Sequence, residues 1–151
     1  MLRTQLNEAL KSALKSQDKV AVSTIRLILA ALKDREIAVR PERGEAGLED
    51  DEILQLLQKM VKQRDESIAL YLQGGRQDLV DRERAEVEVI NRFLPKQMEG
   101  DELRQAVETV VGEADASNLK DMGRVMAALR ERYAGRMDFA KASGIVKEML
   151  G

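Results

Sequence analysis

The chain has 151 residues, 44% apolar and 34% charged, a formal net charge of −2, and only two Phe, two Tyr and no Trp. That length supports one ordinary domain or two small ones, with enough chain to bury a core of Leu, Ile, Val, Met and Ala. The absence of cysteine excludes disulfides, thiol catalysis and cysteine-based metal sites, and the absence of histidine removes the commonest general base and metal ligand.

The start, "MLRTQLNEALKSALKSQDK", is too polar for a signal peptide. It is amphipathic and basic, as some organelle-targeting segments are. Glu8, Asp18 and its continuity with the next helix favour an ordinary first helix over residues 2 to 16, and a cytoplasmic protein is expected. No run approaches the roughly 18 apolar residues of a membrane span. A second helix over 18 to 39 carries Ala21, Ile25, Ile28 and Leu32 at helical spacing, widened by Val22 and Leu29. Pro41 and Pro95 are the only prolines, and each is expected to interrupt a helix and mark a main boundary.

"PERGEAGL" reads as a polar turn. A third helix then places Ile53, Leu57, Met60, Ile68 and either Tyr71 or Leu72 inward until "GGR" stops it. The fourth, over about 76 to 94, turns Leu79, Val87, Ile90 and Leu94 inward and leaves "DRERAEVE" as a solvated face. After Pro95 come three more stripes: Leu103, Val107, Val110 and Ala114; Leu119, Met122, Met126, Leu129 and Tyr133; Phe139, Ala142, Val146 and Leu150. Leu48 and Met98 each precede an inward residue, Ile53 or Leu103, by the spacing of a hydrophobic staple, with acidic side chains in the first turn between them. No stretch alternates. The expected fold is all-α, with an N-terminal helical domain over residues 1–95 and a C-terminal three-helix domain over 96–151.

Little here announces catalysis. Glu49, Asp50, Asp51 and Glu52 could in principle hold magnesium, but a helix start explains them without any metal. "GGRQD" lacks the spacing of a phosphate-binding loop, and the serines have no histidine partner, so hydrolysis would need a Ser-Lys arrangement that nothing singles out. Neither a metal nor a cofactor is expected.

Charge is more informative. Residues 96 to 115 hold two basic against six acidic side chains, a local −4, whereas 116 to 151 hold seven against four, a local +3. The basic set is Lys120, Arg124, Arg130, Arg132, Arg136, Lys141 and Lys147, and such local potential attracts phosphates even on a slightly acidic chain. In "KDMGRVMAALRERYAGRMD", Gly123 and Ala127 flank the apolar arc, with Lys120 and Arg124 just beyond. On physics alone Gly123 is expected to let another helix pack closely, offsetting its propensity cost of about 1 kcal/mol. Close approach of an RNA backbone is the functional reading. Gly144 falls opposite Phe139, Val146 and Leu150 and has no packing reason.

These residues have a relative. "VKQRDESIALYLQGGRQDLVDRERAEVEVINRFLPKQ", together with the later "KDMGRVMAALRERYAGRMD", closely resembles the YqeY family over essentially the whole chain, and the second stretch also resembles the C-terminal tail domain of GatB, a subunit of the glutamine-dependent tRNA amidotransferase. The resemblance implies a helical bundle and then a small three-helix domain. In GatB the tail helps hold the tRNA body, while amidotransfer belongs to domains for which this chain has no room, so a carbon–nitrogen ligase label travels with the shared domain without its chemistry. The implied RNA-facing motif is Gly123, Arg124, Val125 and Met126 with Gly135 and Arg136, and the basic strip adds Lys120, Lys141 and Lys147. Two departures stand out. Glu49 and Glu99 occupy helix starts where relatives often carry Ser or Thr, and Met137 comes after Gly135-Arg136 where GatB tails tend to be smaller. The resulting expectation is a noncatalytic tRNA-associated protein. The alternative is an interaction module whose strip meets an acidic protein such as the amidotransferase or an aminoacyl-tRNA synthetase.

Overall fold

A computed structural model describes Met1–Gly151 as an all-helical chain that divides into two compact units, Met1–Leu94 and Pro95–Gly151. The first unit holds α1 (Leu2–Ser16), α2 (Lys19–Arg43), α3 (Asp50–Gln73) and α4 (Gln77–Asn91), with a 3-10 turn over Gly44–Ala46. Its core joins Leu2, Leu6, Ile28, Leu32, Leu48, Ile53, Leu57, Met60 and Ile90, and a smaller cluster joins Ala13, Ala21, Ile25 and Val89. Each fully buried Leu or Ile contributes about 1.5–3 kcal/mol. The second unit holds α5 (Gly100–Glu113), α6 (Met122–Tyr133) and α7 (Phe139–Leu150), with a 3-10 turn over Leu119–Asp121. Its core is Met98, Leu103, Ala106, Val107, Val110, Val125, Met126, Leu129, Met137, Ala142, Val146 and Leu150. Both expected staples close, since Leu48 with Ile53 and Met98 with Leu103 are buried in shared clusters.

Several local expectations are corrected. Pro41 does not interrupt α2 but lies inside its last turn. The ring deletes one bond, to the Ile37 carbonyl, and both residues are exposed, so water can take that acceptor. The stop comes at Gly44, whose φ of +65° leaves the helix while its N–H still bonds Arg40 O. On α4 the fully buried residues are Val80, Val89 and Ile90, while Leu79 and Val87 are half-buried. This helix packs on both α2 and α3, so its buried surface is wider than a single stripe. On α3 it is Tyr71 that turns inward, and Leu70 and Leu72 are exposed.

The run "DRERAEVE" is not wholly a solvated face. Glu86 accepts from Arg64 Nε at 3.0 Å, both side chains being mostly buried (12% and 15% exposed), and Arg64 Nη1 also donates to Met60 O at 3.2 Å. A charged pair thus clamps α3 to α4. The carboxylates at the start of α3 also have structural work: Glu52 accepts from Glu49 N–H at 3.3 Å and pairs with Arg43, and Asp50 accepts from Leu2 N–H at 3.3 Å.

Candidate nucleic-acid interface

The basic strip lies on the C-terminal unit, and its local structure begins at the turn before α6. Asn118 caps that turn by accepting from Lys120 N–H at 2.9 Å. Asp121 Oδ2 accepts from Ser117 N–H at 2.9 Å, and Oδ1 from Arg124 Nη2 at 3.1 Å. The Ser117 N–H, and after it the Arg124 guanidinium, holds the Asp121 carboxyl below the usual aspartate range. Leu119, expected to point inward, is 54% exposed because it belongs to the 3-10 turn and is out of phase with α6.

Arg124 reaches across to the end of α5, where its Nη1 donates to Ala114 O at 2.5 Å. Carbonyls at a helix C-terminus lack intrahelical donors and carry the negative end of the dipole, so a guanidinium suits them. Arg136 sits at the other end of the same helix, with Nη2 3.8 Å from Glu102 Oε1. Ala114 and Glu102 are twelve residues apart, about 18 Å along the axis. The two Gly-Arg pairs, adjacent in a motif, therefore anchor at opposite ends of α5 and do not form one cluster.

The two glycines also differ. Gly135 is buried with a φ of +78°, where an L side chain would be strained. Its carbonyl accepts from Gln97 Nε2 at 2.5 Å, and the next carbonyl, of Arg136, accepts from Met98 N–H at 2.7 Å. The second Gly-Arg pair is thus a turn that ties residues 97–98 to the end of α6, and Met137, only 1% exposed, drops into the core behind it. Gly123, by contrast, is exposed in the first turn of α6, and a Cβ placed there would meet nothing within 4 Å. The helix-packing reading of Gly123 is therefore overturned. The RNA-facing role implied for Val125 and Met126 is overturned too: they are 0% and 5% exposed, core residues that no ligand can reach without unfolding the unit. Gly144 likewise has open space around it, in keeping with the lack of a packing reason.

Of the remaining strip residues, Lys120, Lys141 and Lys147 are exposed and enter none of the unit's ion pairs. Arg130 lies over the Phe139 ring, 5.9 Å from its centroid. Two pairs that the sequence reading missed are Arg132–Glu113 at 2.7 Å and Arg104–Glu148 at 3.2 Å. Neither has helical spacing, so periodicity carries no signal for them. Exposed pairs of this kind are each worth about 0–1 kcal/mol, so a phosphate can replace the carboxylate at little cost.

The fold and this surface define an all-helical protein with two compact units and no helix long and apolar enough to cross a membrane. The chain belongs to the family of YqeY-like proteins, whose model matches residues 3–150. Among curated relatives it is similar to altered inheritance of mitochondria protein 41, mitochondrial. The Pyrenophora tritici-repentis protein is 29% identical over 97% of this chain and 80% of its own length. The Lachancea thermotolerans protein is 37% identical over 59% of this chain, a match spanning about half of that relative (46%). The protein of Saccharomyces cerevisiae strain YJM789 is 29% identical over 77% of this chain and 65% of its own length.

Proposed function

We propose that this YqeY-like protein is a noncatalytic tRNA-associated module, related through its C-terminal unit to the tRNA-dependent amidotransferase, and that Lys120, Arg124, Lys141 and Lys147 supply its phosphate contacts. The observation that carries this reading is Gly123. Its missing side chain serves no packing, it stands in open space, and Arg124 is the very next residue. A smooth backbone beside a cation is what close approach of a phosphate backbone needs. Gly135 and Arg136 shape and brace the other end of α5, and Arg136 offers a contact there only by releasing Glu102.

Few contacts mean modest affinity. Three or four neutralised phosphates give a log–log salt slope of about −2 to −4, so isolated binding is micromolar or weaker and matters on an assembled tRNA complex. We place the protein in the cytoplasm. The relatives' names carry the word mitochondrial, and tRNA is present in both compartments; fractionation of the source cells decides between them. The binding test is retention of tRNA by the full chain across a salt series, for the parent and for Lys120→Glu with Lys141→Glu. Loss of binding and a shallower slope are expected. Unchanged affinity and slope would remove the RNA reading and favour an acidic protein partner, such as the amidotransferase or a synthetase, meeting the same cations.

A further inference from the structure

The first unit has a groove of about 490 Å³ that plays no part in the tRNA proposal, lined in part by Arg3, Lys33, Glu36, Ile37 and Arg40 and by the loop Gly44–Gly47. Its floor is rigidly built. Arg3 from α1 makes a two-pronged pair with the Glu36 carboxylate on α2, one bond at 2.7 Å and the other between Nη2 and Oε2. Glu36 Oε2 also accepts from Leu48 N–H at 3.3 Å, which draws the loop back over α2. Gly47 suits this arrangement: its φ of +71° would strain an L side chain, and an added Cβ would run into the Glu36 carboxylate and disturb its pairing with Arg3. The Glu36 and Arg3 charges are thus spent on each other in holding the groove open.

Two cations on its wall form no ion pair. Lys33 and Arg40 enter no salt bridge or side-chain hydrogen bond, although neighbouring Arg3 and Arg43 both do; Arg40 acts on the Glu36 carboxylate only through its field, as a weaker influence than the bonds from Arg3. With Ile37 between them they occupy positions i, i+4 and i+7, one face of α2, about 10 Å end to end. Side chains of that length can converge on a single group above Ile37, which is 50% exposed despite its apolar character. Glu45 on the rim is the one carboxylate in the lining without a cation partner, so the unpaired charges sum to +1 and an anion is the complement. Arginine recognises phosphate oxygens in a forked geometry and lysine neutralises them as a point charge.

We infer that this groove binds a phosphate-bearing ligand, with the phosphate between Lys33 and Arg40 and the nonionic body of a nucleotide lying on Ile37. The site is independent of the C-terminal strip. The nucleotide can be free or part of an RNA strand, and the two are distinguished by test. The full isotope-labelled chain is titrated, while amide and methyl resonances are monitored, with AMP and separately with a short oligouridylate. Saturable shifts of Gly44, Ala46 and Gly47 amides and of the Ile37 methyls are expected with AMP, and the double variant Lys33→Gln, Arg40→Gln should bind about tenfold more weakly or worse. Both side chains are exposed, so that variant should keep its fold, which its unshifted core methyls report. Shifts at the same resonances with oligouridylate, saturating at lower concentration than those with AMP, identify RNA as the source; shifts with AMP alone identify a free nucleotide. A chain with Lys120→Gln, Lys141→Gln and Lys147→Gln should respond as the parent does, which separates this site from the tRNA proposal. No shift with either probe, or equal shifts in the Lys33/Arg40 variant, would overturn the assignment.

Discussion

Replacing Gly123 by alanine separates the two explanations of that glycine by sign. A glycine in a helix interior costs about 1 kcal/mol relative to alanine, less in the first turn, where Gly123 lies. The new methyl meets nothing within 4 Å, and Gly123 has no positive φ, so neither overlap nor strain offsets the gain. The expected effect is stabilisation by about 0.5 kcal/mol. Gly144→Ala provides the calibration, because Gly144 also faces open space but lies in the middle of α7, where the full gain of about 1 kcal/mol is expected. For that change thermal melts monitored by circular dichroism should rise by about 4–8 °C if the C-terminal unit melts by itself and about 2–4 °C if the whole chain melts together, with Gly123→Ala giving about half as much. The same two proteins are then assayed for tRNA retention. Gly123→Ala should weaken binding while gaining stability, and Gly144→Ala should leave binding unchanged. A lower melting temperature for Gly123→Ala would mean that a neighbour packs there after all, and the reasoning from open space would fail.

Four further outcomes are expected. Arg64→Ala should destabilise the chain by about 1–3 kcal/mol in urea unfolding, because it leaves the mostly buried Glu86 only the looser pair to the exposed Arg82, at 3.9 Å, and the apolar pair Arg64→Met with Glu86→Leu should recover most of the loss. Thr24→Val should stabilise by about 1 kcal/mol in the same assay, since the Thr24 hydroxyl is fully buried without a hydrogen-bond partner. The Glu36 carboxyl is held below its ordinary value of 4.5, chiefly by the hydrogen bonds from Arg3. A depressed carboxylate adds stability above its unfolded pKa and loses it as pH falls through the lower folded one, so stability should drop below about pH 4.5, and Glu36→Gln should flatten that part of the pH profile. Residues 1–95 expressed alone should remain folded by circular dichroism and amide dispersion, whereas the remaining segment is near the lower size limit for folding unaided.

What the sequence determined by itself is what local periodicity can carry. Leu103, Val107 and Val110 repeat at helical spacing and are buried, and the staples Leu48–Ile53 and Met98–Leu103 lie within five residues and close as expected. All-helical architecture comes from the same short-range rule, because a face repeating near 3.6 residues can be buried only as a helix. The tertiary structure decided everything that depends on what lies opposite. α4 is covered from two sides, so Val80 and Val89 are buried in addition to Ile90, and Glu86 finds Arg64 twenty-two residues away. Val125 and Met126 belong to the core and not to a ligand, while Gly123 beside them faces open space, a difference that adjacent letters in one motif do not contain. Arg124 and Arg136 carry the same charge after the same residue, yet one caps the end of α5 and the other meets its first turn. Helical phase is set within a few residues by the backbone, whereas the partner of a long side chain is set by chain folding, and only the first of these is written in the spacing of residues.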